Sequence, residues 1–151
     1  MDHRAVVPQL VRGLYEGGAG ADEATLGDAL EFSDPLVRVQ GRARVLRMFR
    51  RLSALFPATQ VALTELDELG DGWSRWSVTV RYARRVGAKP VVFRSTLHVI
   101  SEGARIQSLT EHWRKPYPLN GGRRGLLPRW LRQAAGRVVS LRNLSAPFDE
   151  F

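Results

Sequence analysis

At Pro57 the hydrophobic pattern of the chain changes period, and this change limits the possible folds more than any other feature. Before it, Val45, Leu46, Met48, Phe49, Leu52, Leu55 and Phe56 recur at the 3.6-residue spacing of an amphipathic helix. After it, the apolar residues alternate with a period of two. Residues ~60–69, ~73–85, ~90–100 and ~104–113 read as four strands. Their breaks are Gly70-Asp71-Gly72, Gly87 with Pro90, and Glu102-Gly103. Breaks this short join strands as hairpins, so the second half of the chain predicts an antiparallel meander. The fold class is therefore α+β, with helices first and the sheet second.

The first half adds smaller elements. Val6, Val7, Leu10, Val11 and Leu14 predict a helix over ~5–16, ended by Gly17, Gly18 and Gly20. Asp22 then caps an expected second helix through ~Phe32, with Leu26 and Leu30 facing inward. Asp34-Pro35 breaks it, because the residue before proline avoids the helical region. Leu36, Val37 and Val39 form a short strand, and Gly41 turns into the long helix. That helix carries Arg42, Arg44, Arg47, Arg50 and Arg51 on a face expected in solvent.

Composition decides several exclusions. In 151 residues there is no cysteine, which removes disulfides, thiolate nucleophiles and cysteine-bound zinc. No apolar run approaches the ~20 residues that span a bilayer, and the N-terminus lacks a signal-peptide core. A cytoplasmic location is expected. The net charge is +8, but the segment from His112 to Phe151 alone holds eight basic and two acidic residues. The excess charge sits in the tail, so nucleic acid is not the expected partner of the domain. The three histidines lack ligand spacing, and His98 and His112 are expected on opposite faces of the sheet, so no metal is expected. No Gly-rich phosphate loop and no nucleophile elbow are present, and no cofactor is expected.

Pro116, Pro118, Gly121 and Gly122 mark a boundary. The division is a domain over 1–116 and a basic amphipathic extension over 117–151, with Leu126, Leu127, Trp130, Leu131, Ala134, Ala135 and Val138 on one face of a last helix. Three roles suit that helix: capping the domain, lying on an anionic membrane surface, or contacting a protein or nucleic-acid partner.

Two stretches carry a resemblance. Phe32-Ser33-Asp34-Pro35-Leu36-Val37-Arg38-Val39-Gln40-Gly41-Arg42 ends a helical segment on Asp-Pro and sets Gly before the long helix. Ala104-Arg105-Ile106-Gln107-Ser108-Leu109-Thr110-Glu111-His112-Trp113 closes the sheet. In this order they resemble the NTF2-like superfamily, in its SnoaL-like and ketosteroid-isomerase-like branches, over roughly residues 5–115. The resemblance implies an NTF2-like (cystatin-like) cone: N-terminal helices closing a curved mixed or antiparallel sheet around a small-molecule pocket, commonly as a homodimer.

It also implies site residues. Asp34 matches the general base of the isomerase-like proteins. The acid of their penultimate strand falls on Thr96, and their tyrosine donor finds no match, since Tyr15 sits close to Asp34 in sequence. SnoaL-like cyclases commonly end the sheet with Glu-His-Trp-Asp, whereas here Glu111-His112-Trp113 precedes Arg114. Alternation groups Arg94, Thr96 and His98 on one face of the third strand, and Leu109, Glu111 and Trp113 on one face of the fourth. Taken as the inward faces, these residues with Asp34 and Trp76 line the expected pocket. His98 serves as a second acid/base, and Phe93, Leu97 and Val99 form an apolar outer face for a dimer. The expected function is binding of a small, mainly apolar organic molecule, with acid/base turnover of isomerase, cyclase or hydrolase type. The alternative is a non-catalytic dimerisation or interaction module whose tail reaches a partner or membrane.

Overall fold

The structure is a computed structural model, and it describes residues 3–17 and 23–114. The expected C-terminal helix and the extension over 117–151 lie outside the described residues. Two α-helices, α1 (His3–Glu16) and α2 (Arg42–Leu55), and one 3-10 turn (Glu23–Thr25) accompany six strands. The strands are β1 (Leu26–Ser33), β2 (Arg38–Gln40), β3 (Gln60–Gly70), β4 (Trp73–Tyr82), β5 (Val91–Glu102) and β6 (Arg105–Trp113).

They form one mixed sheet in the order β2-β1-β6-β5-β4-β3. The run β3-β4-β5-β6 is the antiparallel meander predicted from the period of two. β1 returns to lie parallel to β6, and β2 covers β1 from outside. Register shifts between Glu65 and Asp67, and between Ile100 and Ser101, bend the sheet. The helices close its concave side, giving an α+β cone.

The expected helix over residues 22–32 is a correction: after one 3-10 turn the chain is the strand β1. Leu26 and Leu30 stand four apart and both point inward, which reads as a helical spacing. The pairing with β6 also carries a register shift between Leu26 and Glu31. An i, i+4 pair also falls on one face of a strand, and Leu26, Leu30 and Phe32 share that face, so the spacing alone does not separate helix from strand.

The core fills the cone from both sides. Val7, Val11, Leu14 and Tyr15 of α1, and Val45, Met48 and Phe49 of α2, meet Leu26, Leu30, Trp76, Val78, Leu97, Val99, Ile106 and Leu109 of the sheet. A second cluster of Phe56, Phe93 and Trp113 sits at one end. Leu36, Leu52, Leu55 and Tyr82 touch both clusters and keep some exposure.

Candidate functional site

The meander alternates cleanly, and this decides what faces the interior. On β5, Phe93, Ser95, Leu97, Val99 and Ser101 are buried. Arg94 is exposed, and Thr96 and His98 are half-buried on the outer face. The expected inward set on this strand is therefore inverted. Burying Phe93, Leu97 and Val99 removes far more apolar surface from water than burying an arginine, a threonine and a histidine would. Those three apolar residues accordingly form no outer face for a dimer.

His98 shares the outer face with His112, and the rings lie 4.9 Å apart. The expectation that these two stand on opposite sides is also overturned. Both imidazoles are held below the usual histidine range, chiefly by burial. Beside them, Asp67 and Arg75 form an ion pair. No group of three or more metal-binding side chains occurs among the described residues.

On β6, alternation does bring the expected residues inward. Leu109, Glu111 and Trp113 are all buried, and so is Trp76 on β4, whose indole N–H donates to Ser74 Oγ at 2.9 Å. Glu111 is a carboxyl sunk to 3% exposure. It lies opposite Leu97 in the β5–β6 ladder, two steps from the Ser95–Trp113 pair and so on the same face. Ser95 Oγ donates to Glu111 Oε1 at 2.6 Å. Tyr15 Oη, from the last turn of α1, donates to Glu111 Oε2. Burial raises the Glu111 pKa, and these two hydroxyl bonds oppose the rise.

Asp34 follows Ser33, whose parallel partner on β6 is Thr110, and so comes alongside Glu111. Its Oδ1 accepts the N–H of Leu36 at 2.7 Å and of Val37 at 2.8 Å. These bonds hold the turn at Pro35, and Asp34 N–H closes it on the Val37 carbonyl at 2.9 Å. Among the described residues Oδ2 accepts no hydrogen bond. The residue keeps partial exposure, yet its carboxyl is deep enough for desolvation to dominate. Burial first, and the charge of Glu111 second, push its pKa up to about 7, while the two backbone bonds pull it down.

Around the two carboxyls stand neutral hydroxyls and rings. Tyr15 and Tyr82 are driven well above the usual phenol range, mainly by burial and then by Glu111, so both stay protonated. Tyr82 packs edge-on against Phe56 and Phe93, and Phe93 against Trp113, with centroids 4.6–5.9 Å apart. No arginine, lysine or histidine is among the buried polar residues, which are Thr59, Ser74, Ser95, Ser101 and Glu111. Among the described residues, the two acids thus have no buried counter-cation.

Asp34, Leu109, Glu111, Trp113 and Trp76 are therefore on the interior side, and Arg94, Thr96 and His98 are not. Ser95 and Tyr82 are absent from the expected set, and Tyr15, set aside there for its closeness to Asp34 in sequence, is brought to the site and donates to Glu111. Tyr15 had a signal: Val7, Val11 and Tyr15 fall four apart on the apolar stripe of α1. Ser95 had one too, since it shares parity with Phe93, Leu97 and Val99.

No family model matches the sequence, and no curated protein does. Solved structures match with probability 1.00. An NTF2-like protein of unknown function from Cytophaga hutchinsonii superposes with TM-score 0.60 at 14% identity, covering 79% of this chain and 95% of that one. A Catenulispora acidiphila protein with a ketosteroid isomerase-like fold gives 0.63 at 14% identity, over 76% and 88% of the two chains. A SnoaL-like family protein from Agrobacterium tumefaciens gives 0.58 at 15% identity, over 76% and 99%. At such identities it is the path of the backbone that is shared, and by that path this chain has the NTF2-like fold, in the form common to ketosteroid isomerase-like and SnoaL-like proteins.

Proposed function

We propose that the cone opens a chamber beside Asp34 that takes a small, uncharged, mainly apolar organic molecule and moves a proton on it, with Asp34 as the acid/base. The observation that carries this reading is the pairing of two interior carboxyls, Glu111 saturated and the partly exposed Asp34 not. Glu111 spends both oxygens on Ser95 and Tyr15. Asp34 spends one oxygen on the turn and has the other available. A pKa near neutrality lets Asp34 both accept and return a proton at working pH.

The ligand class follows from the walls. Tyr82, Phe93, Trp113, Leu36, Leu52 and Leu55 offer apolar area next to the acids. With no cation inside, a carboxylate or phosphate ligand would be repelled. The reaction that suits one mobile proton and neutral hydroxyl donors is isomerisation. Asp34 Oδ2 takes a proton from a carbon next to a carbonyl and delivers it to another carbon. While Asp34 holds the proton, the phenol of Tyr82 steadies the charge on the carbonyl oxygen, since the Tyr15 hydroxyl is given to Glu111. Trp76 and Leu109 support this chamber from the sheet floor.

A specific observation favours a second reading. The hydroxyls on Glu111 tie α1 to the sheet, which is also what a purely structural network would do. In that case the domain is a non-catalytic module that dimerises or contacts a partner.

A generic carbon acid separates the two readings. 5-Nitrobenzisoxazole opens on loss of one C–H proton to a base and releases a coloured phenolate. The catalytic reading expects the full chain to accelerate this reaction, with a rate that rises through about pH 7 as Asp34 ionises. Asp34→Asn should lower the rate by about 10²-fold or more, with its circular dichroism unchanged. No acceleration, or equal rates for both proteins, would leave the module reading.

A further inference from the structure

A second concavity lies outside the cone, where the turn after α2 meets the β4–β5 hairpin. It is an open cleft of about 290 Å³. Residues 58–60 form one wall and residues 81–90 the other. The hairpin tip fixes its shape. Ala88 N–H closes on the Arg85 carbonyl at 3.2 Å, and Gly87 takes φ 79° at the third position of the turn. The base is pinned by Ala58 N–H on the Ala83 carbonyl at 3.1 Å and by the Gln60–Arg81 pair of the β3–β4 ladder.

The lining has one sign of charge. Arg81 and Arg85 both border the cleft, and no aspartate or glutamate does. Among the described residues neither arginine has an ion-pair partner. Gln60 adds a neutral amide, while Val86, Ala88 and Pro90 add apolar surface. Val86 is 94% exposed at the tip. Cations lining a concave, low-dielectric wall focus potential into it. Guanidinium forks match the paired oxygens of phosphate and carboxylate. The volume is at the low end of small-molecule sites.

The geometry points to an anion-binding site in this cleft, for a small organic phosphate or carboxylate whose apolar body rests on Val86, Ala88 and Pro90. It is separate from the chamber of Asp34, which excludes anions for lack of an internal cation. The two sites therefore take ligands of opposite character, and neither depends on the other.

The test is an amide ¹H–¹⁵N titration of the full chain with phenyl phosphate, benzoate, inorganic phosphate and the neutral benzyl alcohol. Saturable shifts are expected at residues 58–60 and 85–88, with midpoints on the order of a millimolar for phenyl phosphate. Inorganic phosphate should bind more weakly and benzyl alcohol not at all. A stronger response to phenyl phosphate than to benzoate identifies phosphate as the head group, and the reverse identifies carboxylate. The exposed double variant Arg81→Gln/Arg85→Gln should keep the spectrum and weaken binding about tenfold or more. Asp34→Asn should bind as the wild type does. Equal shifts with benzyl alcohol, shifts spread over all exposed arginines, or binding unchanged in the double variant would overturn the site.

Discussion

Asp34 divides its two oxygens between two tasks, and that division makes the residue testable. Oδ1 holds the turn, a role that an asparagine carbonyl also fills. Asp34→Asn should therefore fold, and it should alter the dependence of stability on pH. In the unfolded chain Asp34 titrates at its ordinary 3.8, and in the folded chain at about 7. Between these values the folded state holds more protons, so stability is full below about pH 4, falls as pH rises to about 7, and is flat above. Stability from urea unfolding of the wild type should show this fall, on the order of 4 kcal/mol, and that of Asp34→Asn should show a smaller one. Glu111 contributes in the same direction in both proteins, so the difference between the two profiles isolates Asp34. Tyr15→Phe removes one of two donors from a buried carboxyl. Denaturant unfolding should show a loss of about 1–3 kcal/mol. With one bond fewer, Glu111 is less readily ionised, so the pKa of Asp34 should move down, a shift that NMR titration reads.

At the scale of elements, the sequence is most legible where a period persists. The long helix and the four-strand meander lie within a few residues of their expected limits, because nine or more residues of steady pattern outweigh any single exception. β1 is not legible in that way. Leu26 and Leu30 stand four apart, an interval that helix and strand both place on one face, and the long-range pairing with β6 makes β1 a strand. The hairpin between β3 and β4 was legible from Gly70-Asp71-Gly72, and it carries a strict requirement. Gly72 has φ 80°, and a methyl group there would come within 2.1 Å of the Ser101 carbonyl oxygen. That oxygen is backbone, and Ser101 N–H and Oγ both donate to the Gly72 carbonyl, so it cannot retreat. Gly72→Ala should cost roughly 2 kcal/mol or more, seen as a lowered thermal midpoint. A neutral effect would mean that the hairpin rearranges freely.

Over the whole molecule, one binary choice controlled how much of the site could be read. Alternation sorts β5 into Phe93, Ser95, Leu97, Val99 against Arg94, Thr96, His98, and either set could face in. The apolar set faces in because the cone interior is a core first and a site second. Once that choice is made, Ser95 reaches Glu111, and His98 joins His112 and the Asp67–Arg75 pair outside. On β6 the same logic was read correctly, because Leu109 and Trp113 flank Glu111 with apolar weight. Asp34 was legible from the Asp-Pro turn, but its partnership with Tyr15 through Glu111 spans 96 residues and no local pattern announces it. This register has its own check. His98→Ala and Arg94→Ala should leave the titration of Asp34 unchanged, whereas Ser95→Ala should shift it.

The central claim is that Asp34, beside the buried Glu111, is an acid poised near neutral pH. A ¹³C NMR titration of the Asp34 carboxyl in selectively labelled full-length protein measures this directly. The account predicts an apparent pKa of about 7 in the wild type and a lower one in Glu111→Gln. A wild-type value near the ordinary 3.8, unmoved by Glu111→Gln, would contradict it.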